Sequence, residues 1–389
     1  MKLGWSEADE AFRAELVEFL ETHVPPEAKR TRDFGESDGP MLPDWSRQWQ
    51  ATLFDHGWMV PAYPPELGGR NATPVQTLLY MEEMARRGIP RASHFPGWAI
   101  VAPSLLEFGT EAQRALAPAA LRGDTVWCIG MSEPDAGSDL ASLTTRAVLD
   151  GDRFVVNGQK VWTSYAMVAQ KCFCYVRTDS AAPKHKGISV LIVDMDTPGI
   201  DVRPLRHLTG NEEFAEVFFT DVEVPVDAVV GAVNDGWRIT MGSLAHERGG
   251  LWLQSVAFVQ RGLDDLCALA RRLGVDDDAG VRRRLARAYQ HVASLRALGY
   301  KGFASFAQGS SAPEHSFMKL ATSELGKALY ELGMELQGPY GAVVDPERGE
   351  ENGRWAYSFF VSFASTIAGG SSEIQRNIIA TRVLGLPRG

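Results

Sequence analysis

Cysteine and long apolar runs are both scarce in this sequence, and each scarcity excludes a class of protein. Four cysteines among 389 residues are too few for a disulfide framework, so we expect reduced thiols and a cytoplasmic location. The C-x-C pair of Cys172 and Cys174 is weak support for metal binding, and we predict no metal site. No apolar stretch approaches the roughly 18 residues that a membrane helix needs, so we predict no membrane span. The first residues lead into an acidic helical pattern and lack the apolar segment of a signal peptide.

Basic residues are fewer than acidic ones, 39 against 49. The net charge is −10 at pH 7, so the sequence predicts no affinity for nucleic acid. The local run Arg282–Arg284 is interpreted as a solvated helix face. Apolar residues make up 45% and charged residues 23%, which is typical of a globular protein, and the length indicates two or three domains.

The period of the apolar residues changes twice along the chain. Residues 1–122 have helical spacing. Residues 123–232 contain short segments of strand type, separated by the turn signals Asp150-Gly151 and Asn157-Gly158. Residues 233–389 return to long amphipathic helices. The sequence therefore predicts an α+β protein with an N-terminal helical domain, a middle antiparallel β domain and a C-terminal helical bundle.

Two segments of the predicted β domain have a composition that suits ligand binding. Ser132–Asp139 (SEPDAGSD) follows a predicted strand and is rich in small residues and hydroxyls. A turn of this kind exposes backbone N–H groups and hydroxyls, which can hold a flavin edge or a phosphate. The second segment is Lys160–Ser164 (KVWTS). Taken alone, the first also fits a surface loop, and Trp162 also fits a core aromatic of a hairpin.

A third segment lies near the C-terminus. Gly369–Asn377 (GGSSEIQRN) places two glycines before a predicted helix. Ser372 and Gln375 have the spacing of a capping box, so we expect the helix to begin there. A glycine-rich approach to a helix N-terminus can bind an anion, although a plain helix cap would have the same local geometry.

Together these three segments resemble the acyl-CoA dehydrogenase family of flavoproteins, over essentially the whole chain. The resemblance implies FAD as cofactor, an acyl-CoA as substrate and an electron-transferring flavoprotein as electron acceptor. It also implies a tetramer, either homomeric or built from two kinds of subunit. By position, the residues expected at the flavin are Ile129, Met131, Ser132, Gly137, Ser138, Trp162, Thr163, Ser164, Ser371, Ser372 and Glu373. The residues expected at the acyl-CoA are Ser138, Arg248 and Gly370.

The resemblance also identifies a candidate base for proton abstraction. The commonest members of the family have a catalytic glutamate just before a glycine near the C-terminus, where this chain has Gly369. One branch instead carries it on the first long C-terminal helix, in a leucine-x-x-Glu-Arg pattern that Leu244–Arg248 matches. The resemblance therefore implies Glu247 as the base. His246 is a weaker alternative, because its side chain points about 100° away around the helix.

Two elements of the family depart from the pattern. The Arg-x-x-Phe element that helps to bind a neighbouring subunit's flavin is replaced by Ala270–Gly274 (ARRLG), and Gln-x-x-Gly-Gly becomes Glu335–Pro339 (ELQGP). These departures leave open how the adenine end of FAD is held. They also leave two alternatives beside a dehydrogenase: an acyl-CoA oxidase that uses oxygen, and a non-catalytic partner subunit of a heteromeric enzyme.

Overall fold

The structure is a computed structural model that describes residues 5–29, 42–90, 94–249, 251–307, 314–345 and 347–387. The chain forms two compact units. The first contains the described residues up to Tyr80 and those from Ile89 to Glu247, and the second contains Met81–Gly88 and the described residues from Arg248 onward. The predicted α+β class is confirmed. The predicted domain boundaries near residues 122 and 232 remain predictions.

Three helices that start in the first unit begin at capping boxes. The Ser6 hydroxyl accepts a hydrogen bond from Asp9 N–H, and the Asp9 carboxylate accepts one from Ser6 N–H. Thr73 and Gln76 form the second box, and Thr110 and Gln113 form the third. The helices, of which α3 and α7 also contribute residues to the second unit, are α1 (Glu7–His23), α2 (Asp44–Asp55), α3 (Pro74–Arg87), α4 (Ala102–Phe108), α5 (Glu111–Arg114), α6 (Ala117–Arg122) and α7 (Gly236–Gly249).

An eight-stranded sheet follows the first six helices. Its strands are β1 (Trp127–Gly130), β2 (Arg146–Asp150), β3 (Arg153–Ser164), β4 (Lys171–Arg177), β5 (Ile188–Asp194), β6 (Ile200–Leu205), β7 (Phe214–Pro225) and β8 (Val229–Val230). The strand order is β6-β7-β3-β2-β4-β5-β8, and β1 pairs with β4. Most pairings are antiparallel, as the turn signals predict, but β4 is parallel to both β1 and β2. Neither strand is joined to β4 by a hairpin, so both can run parallel to it.

The core of the sheet contains three of the four cysteines. Cys128 and Cys172 are directly opposite each other in the β1–β4 pairing, and Cys174 lies one pleat further along β4. All three are free and fully buried. Hydrogen bonding with Cys128, together with burial, raises the pKa of the Cys172 thiol well above its ordinary value. Hydrogen bonding with Cys172, together with burial, likewise raises the pKa of the Cys174 thiol, so the two thiols of β4 are protonated and unreactive.

The second unit is built around a helical core. Its helices are α8 (Leu251–Arg272), α9 (Ala279–Ala307), α10 (Glu314–Leu336), α11 (Arg354–Ile367) and α12 (Ser372–Ile378). Buried apolar side chains from α8 to α11 form the core, among them Leu263, Leu266, Leu269, Val292, Leu295, Leu325, Leu329 and Trp355. None of the described helices combines the length and apolar character that crossing a membrane would require.

Two glycines of α10 provide a matched test of this packing. A Cβ at Gly333 would lie 2.0 Å from a ring carbon of the buried Trp355, whereas a Cβ at Gly326 would lie 3.7 Å from Phe258, an ordinary contact. We expect Gly333→Ala to destabilise the unit by about 1–3 kcal/mol through overpacking. Gly326→Ala should stabilise it by about 0.5–1 kcal/mol, because alanine favours a helix more than glycine does. Thermal denaturation measures both effects, and shifts of the same sign would contradict the packing described.

Candidate functional site

The Ser132–Asp139 segment forms a tight loop directly after β1. Glu133 and Ala136 exchange backbone hydrogen bonds in both directions, at 3.0 and 3.1 Å. Ser132 is half-buried, whereas Gly137 and Ser138 are exposed. A Cβ placed on Gly137 would meet no atom within 4 Å. The surface of the loop at Gly137 and Ser138 is therefore open to a ligand.

A buried ion pair lies beneath the loop. Lys160 Nζ donates to Glu133 Oε1 at 2.8 Å, and the two side chains are only 0% and 4% exposed. Lys160 also donates to the carbonyl oxygen of Met131 at 3.2 Å. The Glu133 carboxylate accepts three further hydrogen bonds, from Thr144 N–H, the Thr144 hydroxyl and Thr145 N–H, at 2.6 to 2.8 Å. Direct pairing and these additional hydrogen bonds offset the cost of burying two charges.

The environment of Glu133 keeps it ionised. Burial would raise its pKa, but the Lys160 ammonium and the donors of Thr144 and Thr145 outweigh burial and lower the pKa from 4.5 to about 2. Because the folded-state pKa is depressed, the stabilisation from this carboxylate is complete above pH 4.5 and is lost as the pH falls toward 2. At neutral pH the pair is therefore intact.

Trp162 lies in a β-bulge of β3. The pairing of β3 with β7 shifts register between Lys160 and Thr163, which places an extra residue in β3. Trp162 adopts a φ of +58°, a left-handed conformation that costs a bulky residue about 1–3 kcal/mol. Its side chain is 59% exposed and meets the Phe214 ring edge-on at 5.9 Å. The interpretation of Trp162 as a buried core aromatic is therefore wrong.

The residues after Trp162 point to opposite faces of the sheet. Thr163 pairs with the fully buried Ala215 and is itself 1% exposed, so its side chain faces the core. Its Oγ1 has no hydrogen-bond partner among the described residues. Ser164 pairs with Phe214 and is half-buried on the other face. Trp162, Ser164 and Phe214 thus share one accessible face, and the predicted cofactor contact of Thr163 remains a prediction.

A group of basic residues lies close to the Ser138 loop. Lys184 Nζ donates to Asp139 at 2.9 Å and to Ser142 Oγ at 2.6 Å. Lys184, His185 and Lys186 are all exposed, on the connection between β4 and β5. This group was not predicted, although the run KHK in the sequence was a signal for it. Positive charge at this position suits a phosphorylated ligand.

The C-terminal glycine segment has a more specific structure than the predicted capping box. The N-cap of α12 is Ser371, whose hydroxyl accepts from Ile374 N–H at 3.4 Å. The prediction that Ser372 caps the helix is therefore wrong, because the N-cap is the preceding residue. Ser372 instead donates to Glu324 at 2.6 Å, and Gln375 donates to Gly369 O at 2.9 Å. Gln375 thereby closes the turn that precedes the helix.

This turn requires glycine at two positions. Gly369 and Gly370 have φ values of +66° and +95°, in the region that L side chains rarely adopt. Lys319 Nζ holds the turn by donating to Gly370 O at 2.6 Å. A glutamate at position 369 would strain this backbone. Glycine at position 369, in place of the glutamate of the commonest family members, therefore suits the conformation of this turn.

The candidate base lies near the end of the last helix of the first unit. Glu247 and Arg248 lie in α7, but their side chains, with that of His246, are outside the described residues. Ile129 and Met131 are half-buried in and after β1. The predicted site residues of the first unit, from Ile129 to Ser164, form the loop and strand just described, whereas Gly370, Ser371, Ser372 and Glu373 belong to the second unit.

Comparison with known proteins extends over the whole chain. Profiles for the N-terminal, middle and C-terminal domains of acyl-CoA dehydrogenase match residues 6–124, 128–222 and 234–384. The acyl-CoA dehydrogenase IpdE1 of Mycobacterium tuberculosis is 41% identical over 344 residues, which is 88% of this chain and 88% of that protein. The structure of the Tcur3481-Tcur3483 steroid ACAD is 33% identical, with a TM-score of 0.85 and full coverage of both chains. The ChsE4-ChsE5 complex from Mycobacterium tuberculosis is 32% identical, with a TM-score of 0.83 and full coverage of both chains.

Proposed function

The chain belongs to the acyl-CoA dehydrogenase family, and we propose that it oxidises an acyl-CoA thioester to the trans-2-enoyl-CoA with FAD as cofactor. The observation that carries the proposal is the accessible face formed by Trp162 and Ser164 on the bulge of β3. Strained residues cluster at functional sites, and the exposed indole offers a ligand an apolar surface. The three matched profiles cover the remaining parts of such an enzyme.

The donors and surfaces of this site fit a flavin ring, which is flat and apolar with a polar edge. The Trp162 indole offers an apolar surface, and the Ser132 and Ser164 hydroxyls offer hydrogen bonds. In this proposal Ile129, Met131 and Gly137 contribute backbone and apolar contacts beside them. When bound, FAD supplies an acceptor for the hydride from the β-carbon of the substrate.

The residues around α12 are proposed to hold the diphosphate of FAD. Ser371 caps the helix, and the N–H groups of Ser372 and Glu373 lie in its first turn. The Ser372 hydroxyl is already engaged with Glu324, so its backbone rather than its side chain would contact a phosphate. Lys319 beside Gly370 adds positive charge, which favours an anion at this helix end.

The acyl-CoA is proposed to lie against the Ser138 loop. Ser138 is exposed, and the basic residues Lys184 and Lys186 nearby suit the phosphates of coenzyme A. Arg248 and Gly370 complete the proposed substrate contacts. Glu247 would take the proton from the α-carbon while the hydride leaves the β-carbon. The electron pair of the broken α-C–H bond would then form the new double bond.

A second candidate function, that of a non-catalytic subunit in a heteromer, is favoured by one observation. Arg272, which lies in the segment that replaces the Arg-x-x-Phe element, forms ion pairs within this chain. Its partners are Glu350 and Glu351, at 3.1 and 2.7 Å. The structures of Tcur3481-Tcur3483 and ChsE4-ChsE5 each contain two kinds of chain by name. We therefore propose a tetramer that includes a second kind of subunit and is located in the cytoplasm. In this proposal an electron-transferring flavoprotein accepts the electrons that the enzyme takes from its substrate.

Glu247→Gln tests the proposed base. The amide keeps the size of the carboxylate but cannot accept the proton, so the rate of flavin bleaching by acyl-CoA should fall by about 10²–10⁴ while flavin content is retained. Stopped-flow absorbance measures the rate. His246→Gln is the matched control on the neighbouring position of α7, and it should bleach at close to the unsubstituted rate. A slow His246 variant with a normal Glu247 variant would reverse the assignment.

The size of the acyl group is a separate test. The turn before α12 and the residues after Glu247 carry little side-chain volume, at Ala368, Gly369, Gly370 and Gly249. Apolar pockets discriminate mainly by excluding larger groups, so the proposed substrate is a bulky acyl-CoA, which the steroid relative supports. We expect kcat/KM for a steroid side-chain CoA thioester to exceed that for butyryl-CoA by about tenfold or more. A preference for butyryl-CoA would contradict this substrate class.

A further inference from the structure

The peptide that joins Met131 and Ser132 is held in one orientation from the protein interior. Its carbonyl oxygen accepts the hydrogen bond from Lys160 Nζ at 3.2 Å. The peptide is trans, so its C=O and N–H groups point in opposite directions. The N–H of Ser132 therefore points away from the buried ammonium. The next peptide is held as well, since Val161 N–H donates to Ser132 O at 2.9 Å.

The Ser132 N–H is available for a ligand. The hydrogen bonds of the described residues give this amide no acceptor. In contrast, the following amide, Glu133 N–H, is used within the loop by Ala136 O. A backbone donor that is aimed outward in a half-buried loop suits the acceptor atoms along a flavin edge.

Two hydrogen bonds hold the ammonium, and packing holds the stem of its side chain. Lys160 is fully buried, and its partner Glu133 is held by the donors of Thr144 and Thr145. A Cβ on Gly130 would lie 3.3 Å from Lys160 Cγ, so the stem of the lysine packs closely against β1. The ammonium cannot move without breaking these contacts, and the Met131–Ser132 peptide cannot rotate without losing its hydrogen bond.

We propose that Lys160, held by Glu133, is a positioning residue that aims the Ser132 amide at the flavin ring. The inference rests on the proposed function of this loop. A buried ion pair is by itself a poor stabiliser, because desolvation offsets most of its attraction, and apolar replacements are often as stable. Orientation of a donor group gives the pair a role that an apolar pair could not supply.

The bulge in β3 makes the arrangement possible. Lys160 pairs with Val217 and Thr163 pairs with Ala215, so both face the core even though they are three residues apart. In a regular strand, residues three apart face opposite sides. The extra residue lets Lys160 reach the loop from inside while Trp162 and Ser164 remain on the accessible face. One irregularity therefore serves both the apolar surface and the oriented donor.

The test compares Lys160→Met and the double variant Glu133→Gln/Lys160→Met with the unsubstituted protein, each purified in the assembly in which it normally occurs. The double variant leaves no unpaired buried charge, so it keeps the test valid if the single variant fails to fold. The control is Glu223→Gln, which breaks the exposed ion pair of β3 and β7 with Arg153. Circular dichroism verifies the fold, and titration of the apoprotein with FAD gives Kd and the visible spectrum of the bound flavin.

We expect FAD to bind about tenfold or more weakly in both Lys160 variants, with a shifted flavin absorption band. The reason is that the Ser132 N–H is no longer held in the orientation that suits the flavin. The Glu223 variant should match the unsubstituted protein in both measurements. Unchanged Kd and spectrum in a folded double variant would overturn the positioning role and leave the proposed function intact. Absence of FAD binding by the unsubstituted protein would overturn the proposed function itself.

Discussion

The buried ion pair between Glu133 and Lys160 is the interaction on which the candidate site depends. It joins the loop after β1 to β3. The carboxylate accepts four hydrogen bonds and the ammonium donates two. Such a pair contributes little net stability, but removal of one partner leaves an uncompensated charge that costs about 3–5 kcal/mol. The loop is therefore fixed in one conformation relative to the strand that carries Trp162.

Positive φ values occur in a candidate segment of each unit. Trp162 in the first unit and the glycine pair Gly369–Gly370 in the second adopt positive φ values. Trp162 is strained in this conformation and has an exposed side chain, whereas the glycines adopt it without strain, in a turn that hydrogen bonds from Lys319 and Gln375 hold in place. Strain of this kind persists where the surrounding structure determines the local conformation, which is a common property of functional sites.

The sequence predicted most of the fold and only part of the site. Apolar periodicity and the turn signals predicted short strands within residues 123–232, and the observed strands lie between Trp127 and Val230. The parallel pairing of β1 with β4 could not be predicted, because it depends on contacts between segments without a shared hairpin. The bulge at Trp162 was hidden for a similar reason: one extra residue in β3 shows only against its partner strand. The ion pair joins residues 27 positions apart, which local patterns do not reveal. The N-cap of α12 was misplaced because two consecutive serines, Ser371 and Ser372, can both serve as caps.

The central claim is that the loop after β1 and the bulge of β3 together hold a flavin ring. The visible absorption spectrum of the purified protein tests it most directly, recorded for the chain alone and for the chain co-purified with a second subunit. The account predicts the absorption bands of a protein-bound flavin in at least one of these preparations, and FAD on extraction. Colourless protein in both preparations, with no uptake of added FAD, would contradict the account.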